Sequence, residues 1–417
     1  MAVNEKRLNI TEFDFDDVKD NLKVFLKNQS EFKDYDFEGS GMSILLDVLA
    51  YNTHYLGFNA NMLANEMFLD SASLRSSVVS HAKTLGYEVT SARAPIATVN
   101  VALSTTDASK TMPAGTAFST TVDDVSYQFV TIADITASGA GGVVTFNNAK
   151  IYEGTYITSK YLVDTSDVAQ RFLLPDSRVD TSTLKVQVQN SASDSTVATY
   201  TKATDISQIS STSSVYFLQE VENGRHEIYF GDGNVSKALS DGNIVILNYV
   251  VTNKTASNGA STFSAPSSID GVSDITVTTV SNAGGGAEPE SLASIKLQAP
   301  LDYASQGRAV TTNDYKTYAQ KLFPNTQAVS VWGGEDGSYD TSTGVSSTPE
   351  YGKVFISIKS TTGENLTSVQ KSNLVQAFTP YKVYSITPFI VDAETTFLIL
   401  NTTVQYDSSQ TTYLASE

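Results

Sequence analysis

The spacing of apolar residues at the start of the chain predicts an N-terminal helical segment, residues 1–94. Apolar side chains recur there every three or four positions, which is the spacing of one helix face. Asp14, Asp16 and Asp17 lie where the first helix begins, and the helix dipole favours acidic side chains at that end. Thr11, three residues before Asp14, is the expected cap.

A second, long helix is predicted from Met42 to Phe68, and a third from Leu74 to Leu85, ended by Gly86 in a left-handed conformation. The long helix is apolar around most of its circumference, which is typical of a helix buried on several sides. Either the β-domains of the same chain or a partner chain covers it. The partner is favoured, because the region that follows is rich in Ser and Thr and offers little apolar cover. The predicted partner-binding side chains are Leu45, Leu49, Tyr51, Tyr55, Leu56, Phe58 and Met62.

Beyond the helical segment, the period of the pattern changes from that of helices to that of strands. Val99, Val101 and Leu103 alternate with polar residues, and the same alternation returns further along the chain. Glycine-rich turns separate these runs. The pattern predicts an all-β region over residues 95–282.

The third predicted region, residues 283–417, mixes helices with short strands. One helix is expected to end near Pro300, a second to run from Thr312 to Phe323, and a third to begin at a capping box formed by Thr367 and Gln370. Strands lie between and after these helices, which is typical of an α+β sandwich. The chain is therefore predicted to be an α+β multidomain protein: an N-terminal helical bundle segment, a central all-β region and a C-terminal α+β sandwich domain.

Gly284, Gly285 and Gly286 form the clearest boundary in the sequence. We expect this run to act as a hinge, because glycine accepts backbone angles that are closed to other residues. The alternative is a tight packing turn, in which the glycines let two backbones approach each other. A phosphate-binding loop is disfavoured, since no strand–turn–helix unit of the nucleotide-binding type surrounds the run.

The charge balance excludes several classes of protein. The net charge is −18 across 417 residues. This disfavours sequence-independent binding to nucleic acid, because such binding needs clustered Lys and Arg. The chain has no Cys, so disulfide frameworks and thiol catalysis are excluded. The N-terminus lacks the apolar core of a signal peptide, and no apolar run approaches the length of a membrane-spanning helix. We therefore expect a soluble protein that is not exported by the general secretory route and binds no membrane.

The sequence offers no recognisable catalytic or metal-binding motif. His54, His81 and His226 are not placed at ligand spacing, and the chain has neither a nucleophile elbow nor a phosphate loop. Glu335 and Asp336 could hold a cation in a loop, but the oxygen-rich spacing of a calcium site is absent. No enzymatic activity, metal or cofactor is therefore predicted.

Two segments carry a specific resemblance to a known family. The first runs from Asp34 to Tyr87, and the second joins the glycine run to Gln306-Gly307-Arg308-Ala309-Val310-Thr311-Thr312-Asn313-Asp314-Tyr315. The second segment continues through Gly333-Gly334-Glu335-Asp336 and Tyr351-Gly352-Lys353-Val354-Phe355-Ile356. Together they resemble the baseplate wedge subunit of T-even-like contractile-tailed bacteriophages, a member of the baseplate J-like family. The central β-region resembles the family only in its general character and carries no specific motif of it. Because family members usually run well beyond this length, the chain is either a shortened relative or part of a longer protein.

The resemblance implies a structural subunit of the virion tail baseplate, assembled in the host cytoplasm. It implies a heterotrimer, in which a second copy of the chain and a larger baseplate wedge protein join through the N-terminal helical bundle. It further implies contacts with other wedge and sheath-initiating subunits, and with neighbouring wedges in a ring around the central hub. The alternative functions are a tail-associated carbohydrate-binding adhesin and a cell-wall hydrolase. The long N-terminal helices disfavour the adhesin, and the hydrolase would need a paired carboxylate or a metal cluster.

The run from Arg308 to Tyr315 has a structural interpretation. Arg308 precedes a turn that Thr311 is expected to cap, and Asp314 lies where a helix N-terminus favours an acid. Together with Tyr315, these residues are predicted to be structural and not catalytic.

Overall fold

The computed structural model describes residues 14–28, 40–167, 170–203, 209–323, 326–340, 344–360 and 365–393. Its contacts divide the chain into two compact units, residues 1–325 and 326–417. N-terminal helices are followed by a central all-β region and then by mixed α and β elements. The predicted α+β multidomain fold class is confirmed.

The first unit begins with three helices: α1 (Phe15–Lys27), α2 (Gly41–Glu66) and α3 (Arg75–Thr84). Asp14, and not Thr11, is the N-cap of α1, because its carboxylate accepts a hydrogen bond from the Phe15 N–H at 2.6 Å. Thr11 lies outside the described residues. Gly86 has a φ of +80°, as the prediction of a left-handed residue after α3 requires.

The first β-sheet has seven strands and encloses one core. Five strands lie in the order β14 (Ile275–Gly284), β1 (Ile96–Ser104), β6 (Val143–Glu153), β4 (Val125–Val130) and β3 (Ala117–Val122). The remaining two are β2 (Ser109–Met112) and β5 (Ile135–Ala140), which pair with each other and through β5 with β6. In β1 the alternating residues Val99, Val101 and Leu103 are fully buried, as their period predicts.

The second β-sheet also has seven strands and a separate core. The strand order is β7 (Thr155–Leu162), β13 (Ile244–Val251), β9 (Val179–Gln189), β10 (Val197–Lys202), β11 (Val215–Glu220), β12 (His226–Phe230) and β8 (Phe172–Leu174). All neighbours are antiparallel except β10 and β11. Leu247 and Tyr249 of β13 are buried at its centre, with edge-to-face ring contacts among Phe172, Tyr200 and Phe230 beside them.

Two further helices complete the first unit: α4 (Leu292–Ser305) and α5 (Thr312–Leu322). The prediction that α4 ends near Pro300 is wrong, because the helix continues for five residues past it. A proline inside a helix removes one backbone hydrogen bond. Packing offsets that loss: Ile295 and Ala299 of α4 are fully buried against Val78 and Ala82 of α3. The same packing places α4 in the unit that contains the N-terminal helices.

The second unit is built on a three-stranded sheet in the order β15 (Thr326–Gly333), β18 (Lys353–Ser360) and β19 (Thr387–Val391). A hairpin of β16 (Ser338–Asp340) and β17 (Gly344–Ser346) precedes β18, and α6 (Ser368–Ala377) connects β18 to the parallel strand β19. The predicted Thr367–Gln370 capping box at the start of α6 is present. The further strand that the sequence predicts after β19 lies outside the described residues.

Candidate assembly interface

The long helix α2 is covered by α1 on one side and near one end. Val18 and Leu26 of α1 are buried, and so are Leu46 and Ala50 in the first half of α2. Since α1 has 13 residues and α2 has 26, α1 can cover only about half of the longer helix. The second half of α2 buries Ala64 alone.

All seven predicted partner-binding side chains of α2 are exposed. Their exposed fractions range from 40% for Met62 to 65% for Tyr51. Five more apolar residues of the predicted helix 42–68, outside the predicted set, are exposed by more than half: Ile44, Val48, Leu63, Met67 and Phe68. Large apolar patches of this kind on a protein surface mark interaction sites.

The ten exposed apolar residues within α2 fall into two lines along the helix. In the first line, successive residues are separated alternately by four and three positions, which is the repeat of a coiled-coil seam. We call it the aromatic seam, and its members are Ile44, Val48, Tyr51, Tyr55, Phe58 and Met62.

The second line consists of leucines at intervals of four and seven residues. We call it the leucine seam, and its members are Leu45, Leu49, Leu56 and Leu63. Asn52 and Asn59 take the intervening positions of its heptad. Because each residue advances about 100° around a helix, the two seams lie roughly 100° apart. One partner helix cannot cover both of them.

The four residues predicted to be structural surround the start of α5. Thr311 is the N-cap, and its hydroxyl accepts the Asp314 N–H at 3.2 Å while the Asp314 carboxylate accepts the Thr311 N–H at 2.8 Å. Tyr315 is 1% exposed. Arg308 is exposed and donates to the Gln306 side chain at 2.9 Å. Burial would raise the pKa of the Asp314 carboxyl, but hydrogen bonds from Thr311 and Val310 hold the pKa below its usual value.

Gly286, the last residue of the glycine run, is closely packed, whereas a Cβ on Gly285 would have no neighbour within 4 Å. Gly286 exchanges two hydrogen bonds of 3.0 Å with the Asn258 side chain, and a Cβ on Gly286 would lie 2.7 Å from the Pro95 Cδ. Gly285 has a φ of +88°. These contacts at Gly286 are the ones expected from a tight packing turn, the alternative to a hinge, in which glycine lets two backbones approach each other. The hinge stays a prediction.

A polar network that sequence reasoning missed joins α3 to the second sheet and to α4. Arg75 binds the Glu220 carboxylate through two nitrogens, at 2.5 and 2.9 Å, and donates to the Glu290 carbonyl oxygen at 2.6 Å. The Glu290 carboxylate accepts the Tyr87 hydroxyl at 2.8 Å. Burial, and then the Glu290 charge, raise the pKa of Tyr87. Arg75 and Glu290 lie within the segments that carry the family resemblance, but their contacts cross 145 and 215 residues of sequence.

The described part of the chain contains no group of three or more His, Asp or Glu side chains that could hold a metal ion. None of its helices is both long and apolar enough to cross a membrane. Among the described residues, the feature with a clear chemical meaning is therefore α2, which exposes two apolar seams.

Three protein-family models match the chain in order. Residues 14–87 match the helical domain of gp6-like baseplate wedge proteins, residues 160–261 match the third domain of the bacteriophage baseplate wedge protein gp6, and residues 311–391 match C-terminal domain I of the baseplate structural protein gp6. The chain is also 30% identical over 424 residues to baseplate wedge protein gp6 of Enterobacteria phage T4. That alignment covers 94% of this chain and 60% of the relative, so the chain spans about three-fifths of the relative's length.

Two solved assemblies show weaker likeness. A chain from the baseplate of the anti-feeding prophage is 13% identical, with a TM-score of 0.28, over 91% of this chain and 70% of that one. A chain from the TssK-TssF-TssG baseplate subcomplex of a type VI secretion system is 7% identical, with a TM-score of 0.31, over 84% of this chain and 96% of that one. Likenesses this distant carry no argument about function.

The fold and the exposed seams define a multidomain protein whose long N-terminal helix α2 exposes apolar side chains along most of its length. The matches to three successive domains identify it further: the chain belongs to the gp6-like family of phage baseplate wedge proteins. The resemblance stated from the sequence is confirmed.

Proposed function

We propose that the chain is a structural subunit of the tail baseplate wedge in a contractile-tailed phage, and that α2 is its assembly interface. The observation that carries the proposal is the pair of seams on α2, which expose ten apolar side chains in two heptad patterns. Fully burying a Leu or Phe side chain stabilises an assembly by about 1.5–3 kcal/mol. An isolated chain forgoes that stabilisation along most of α2.

Because the two seams lie on different sides of α2, we expect two partner helices, one for each seam. In the proposed heterotrimer, one seam takes a helix from a second copy of the chain and the other takes a helix from the larger baseplate wedge protein. The chemistry of the seams fits different partners, since the aromatic seam is broad and bulky while the leucine seam carries Asn52 and Asn59. A polar residue in an apolar seam selects a partner that can form a hydrogen bond with it.

Further contacts build the baseplate from wedges. We propose that the wedge joins other wedge and sheath-initiating subunits, and that neighbouring wedges close a ring around the central hub. The place of action is the virion tail baseplate, with assembly in the host cytoplasm. The family membership supports this role, and the chemistry of the described residues requires no catalytic step.

The test is co-purification with the larger wedge protein. Leu49→Asp in the leucine seam and Tyr55→Asp in the aromatic seam should each abolish the complex, because each places a charge in an apolar helix contact. Leu45→Asp should behave as Leu49→Asp does. The matched control is Leu297→Asp, which makes the same change at a helical leucine that is 60% exposed on α4.

The isolated variants should unfold at the wild-type temperature, since both side chains are already exposed in the isolated chain. If Leu49→Asp and Tyr55→Asp co-purify with the larger wedge protein as well as Leu297→Asp does, the assembly interface lies elsewhere.

A further inference from the structure

Helix α3 begins without a cap from its own sequence. Its N-cap residue is Leu74, whose side chain has no hydrogen-bond acceptor. The first N–H groups of a helix have no partner inside the helix, so an acceptor must come from elsewhere.

The acceptor is the carboxylate of Glu66, the last residue of α2. One of its oxygens accepts the Ser73 N–H at 2.8 Å and the Ser73 hydroxyl at 2.7 Å. The Leu74 N–H lies 3.2 Å from both oxygens. An acidic group at the positive end of a helix dipole adds an electrostatic attraction to these hydrogen bonds. Glu66 therefore caps a helix that begins nine residues later in the chain.

The backbone around Glu66 is held by the same neighbours. The Glu66 carbonyl oxygen lies 2.9 Å from Nε2 of His81 on α3, and the Asn65 carbonyl accepts the Ser71 hydroxyl at 2.7 Å. Lys296 of α4 donates to the Asp70 carbonyl at 2.9 Å. Since α3 packs on α4 through fully buried side chains, these bonds attach the end of α2 to a packed part of the first unit.

The Glu66 carboxyl is held in its ionised form, which is the form that accepts the hydrogen bonds at the start of α3. Burial would raise the pKa of its carboxyl, but hydrogen bonds from Ser73, Ser77 and Leu74 outweigh burial and hold the pKa below the usual range. The carboxylate that caps α3 is thus ionised at neutral pH.

We propose that Glu66 is a positioning residue that fixes the angle between α2 and α3, so that both seams reach their partners in one orientation. The inference rests on the proposed function for its purpose, but the joint itself is a property of the isolated chain. Without the carboxylate, α2 and α3 would be joined by the short connection after Glu66 and by the backbone contacts of His81 and Ser71.

The joint can be measured as a distance distribution in the full chain. The chain has no Cys, so Asn59→Cys on α2 and Ser80→Cys on α3 introduce two unique sites for spin labels. Pulsed electron spin resonance should give one narrow distance peak with Glu66 in place. Glu66→Ala should at least double the width of that peak, and Glu66→Gln, which keeps one acceptor oxygen, should fall between the two. Glu335→Ala, at an exposed turn residue of the second unit, is the matched control and should leave the peak unchanged.

A peak for Glu66→Ala that is as narrow as the peak for Glu335→Ala would overturn the proposal. If Glu66→Ala does not fold, the decision passes to Glu66→Gln and Ser73→Ala, of which at least one must broaden the peak. No partner chain takes part in this measurement, so its outcome is independent of whether the seams bind the larger wedge protein. If every folded variant gives a narrow peak and assembly is normal, the proposed role of Glu66 is wrong while the proposed interface on α2 stands.

Discussion

At the scale of single residues, Gly286 provides a test between a packed turn and a hinge. A Cβ at this position would enter the space of the Lys254 carbonyl oxygen and the Pro95 ring. We expect Gly286→Ala to lower the free energy of unfolding by about 1–3 kcal/mol, as overpacking does. The control is Gly41→Ala, because nothing lies within 4 Å of a Cβ there, and the first turn of α2 should tolerate it. Urea unfolding measures both variants.

If Gly286→Ala is as stable as wild type, the packing argument fails and the proposed hinge gains support. The hinge itself predicts that residues 300–400 move relative to residues 95–280 between the resting and contracted baseplates. Electron microscopy of both states would show whether one superposition fits both parts.

A second residue gives the first unit a dependence on pH. His226 is 4% exposed, and its Nδ1 has no partner among the described residues. Burial is the largest influence on the pKa of His226 and lowers it. The negative charges of Glu220 and Glu88 raise this pKa, and the positive charges of Arg75 and Lys202 lower it. The net effect is a pKa below the usual value. The imidazole therefore stays neutral in the fold at pH values where the unfolded chain takes up a proton.

The sign follows from proton uptake. The unfolded chain binds the additional proton below about pH 6.5, so stability should be constant above that value and fall as the pH drops beneath it. One proton gives a slope of at most about 1.4 kcal/mol per pH unit. We expect His226→Gln to remove this slope between pH 6.5 and 5 in urea titrations. An unchanged slope in His226→Gln would assign it to other groups.

At the scale of elements, the capping box of α5 should contribute measurably to stability. Asp314→Ala removes the acceptor for the Thr311 and Val310 N–H groups, and we expect a loss on the order of 1 kcal/mol. Asn313→Ala, one position earlier on the same exposed turn, is the control and should change stability little. Thermal unfolding followed by circular dichroism compares the two. Equal stability of both variants would show that the cap is dispensable.

The elements that local sequence determines were predictable, and those that depend on packing were not. The caps at Thr311 and Thr367 could be predicted because a Thr with Asp or Gln three residues later supplies both halves of a capping box. The continuation of α4 past Pro300 could not, because the burial of Ile295 and Ala299 on α3 offsets the lost hydrogen bond. The Glu66 cap was missed for a related reason: its donors, the Ser73 and Leu74 N–H groups, lie just before the start of another helix.

At the scale of the whole molecule, the candidate interface was the most predictable part of the site. Its signal is periodic and local, so the apolar residues of α2 could be recognised from the amino-acid pattern alone. The division into two seams follows from the helix geometry and the exposure of each side chain. By contrast, Arg75 and Glu220 are 145 residues apart, and no local pattern pairs them. The domain bounds at 94 and 282 stay predictions, while the chain divides into its two compact units after residue 325.

The central claim is that partner helices cover α2 in the assembled wedge. Hydrogen–deuterium exchange measures this directly, by comparing the isolated chain with its complex with the larger wedge protein. We expect the amides from Tyr51 to Leu63 to exchange at least tenfold more slowly in the complex, while the amides of β1 and β6, already within a buried sheet, stay unchanged. Equal exchange of α2 in both samples, with the complex intact, would contradict the account.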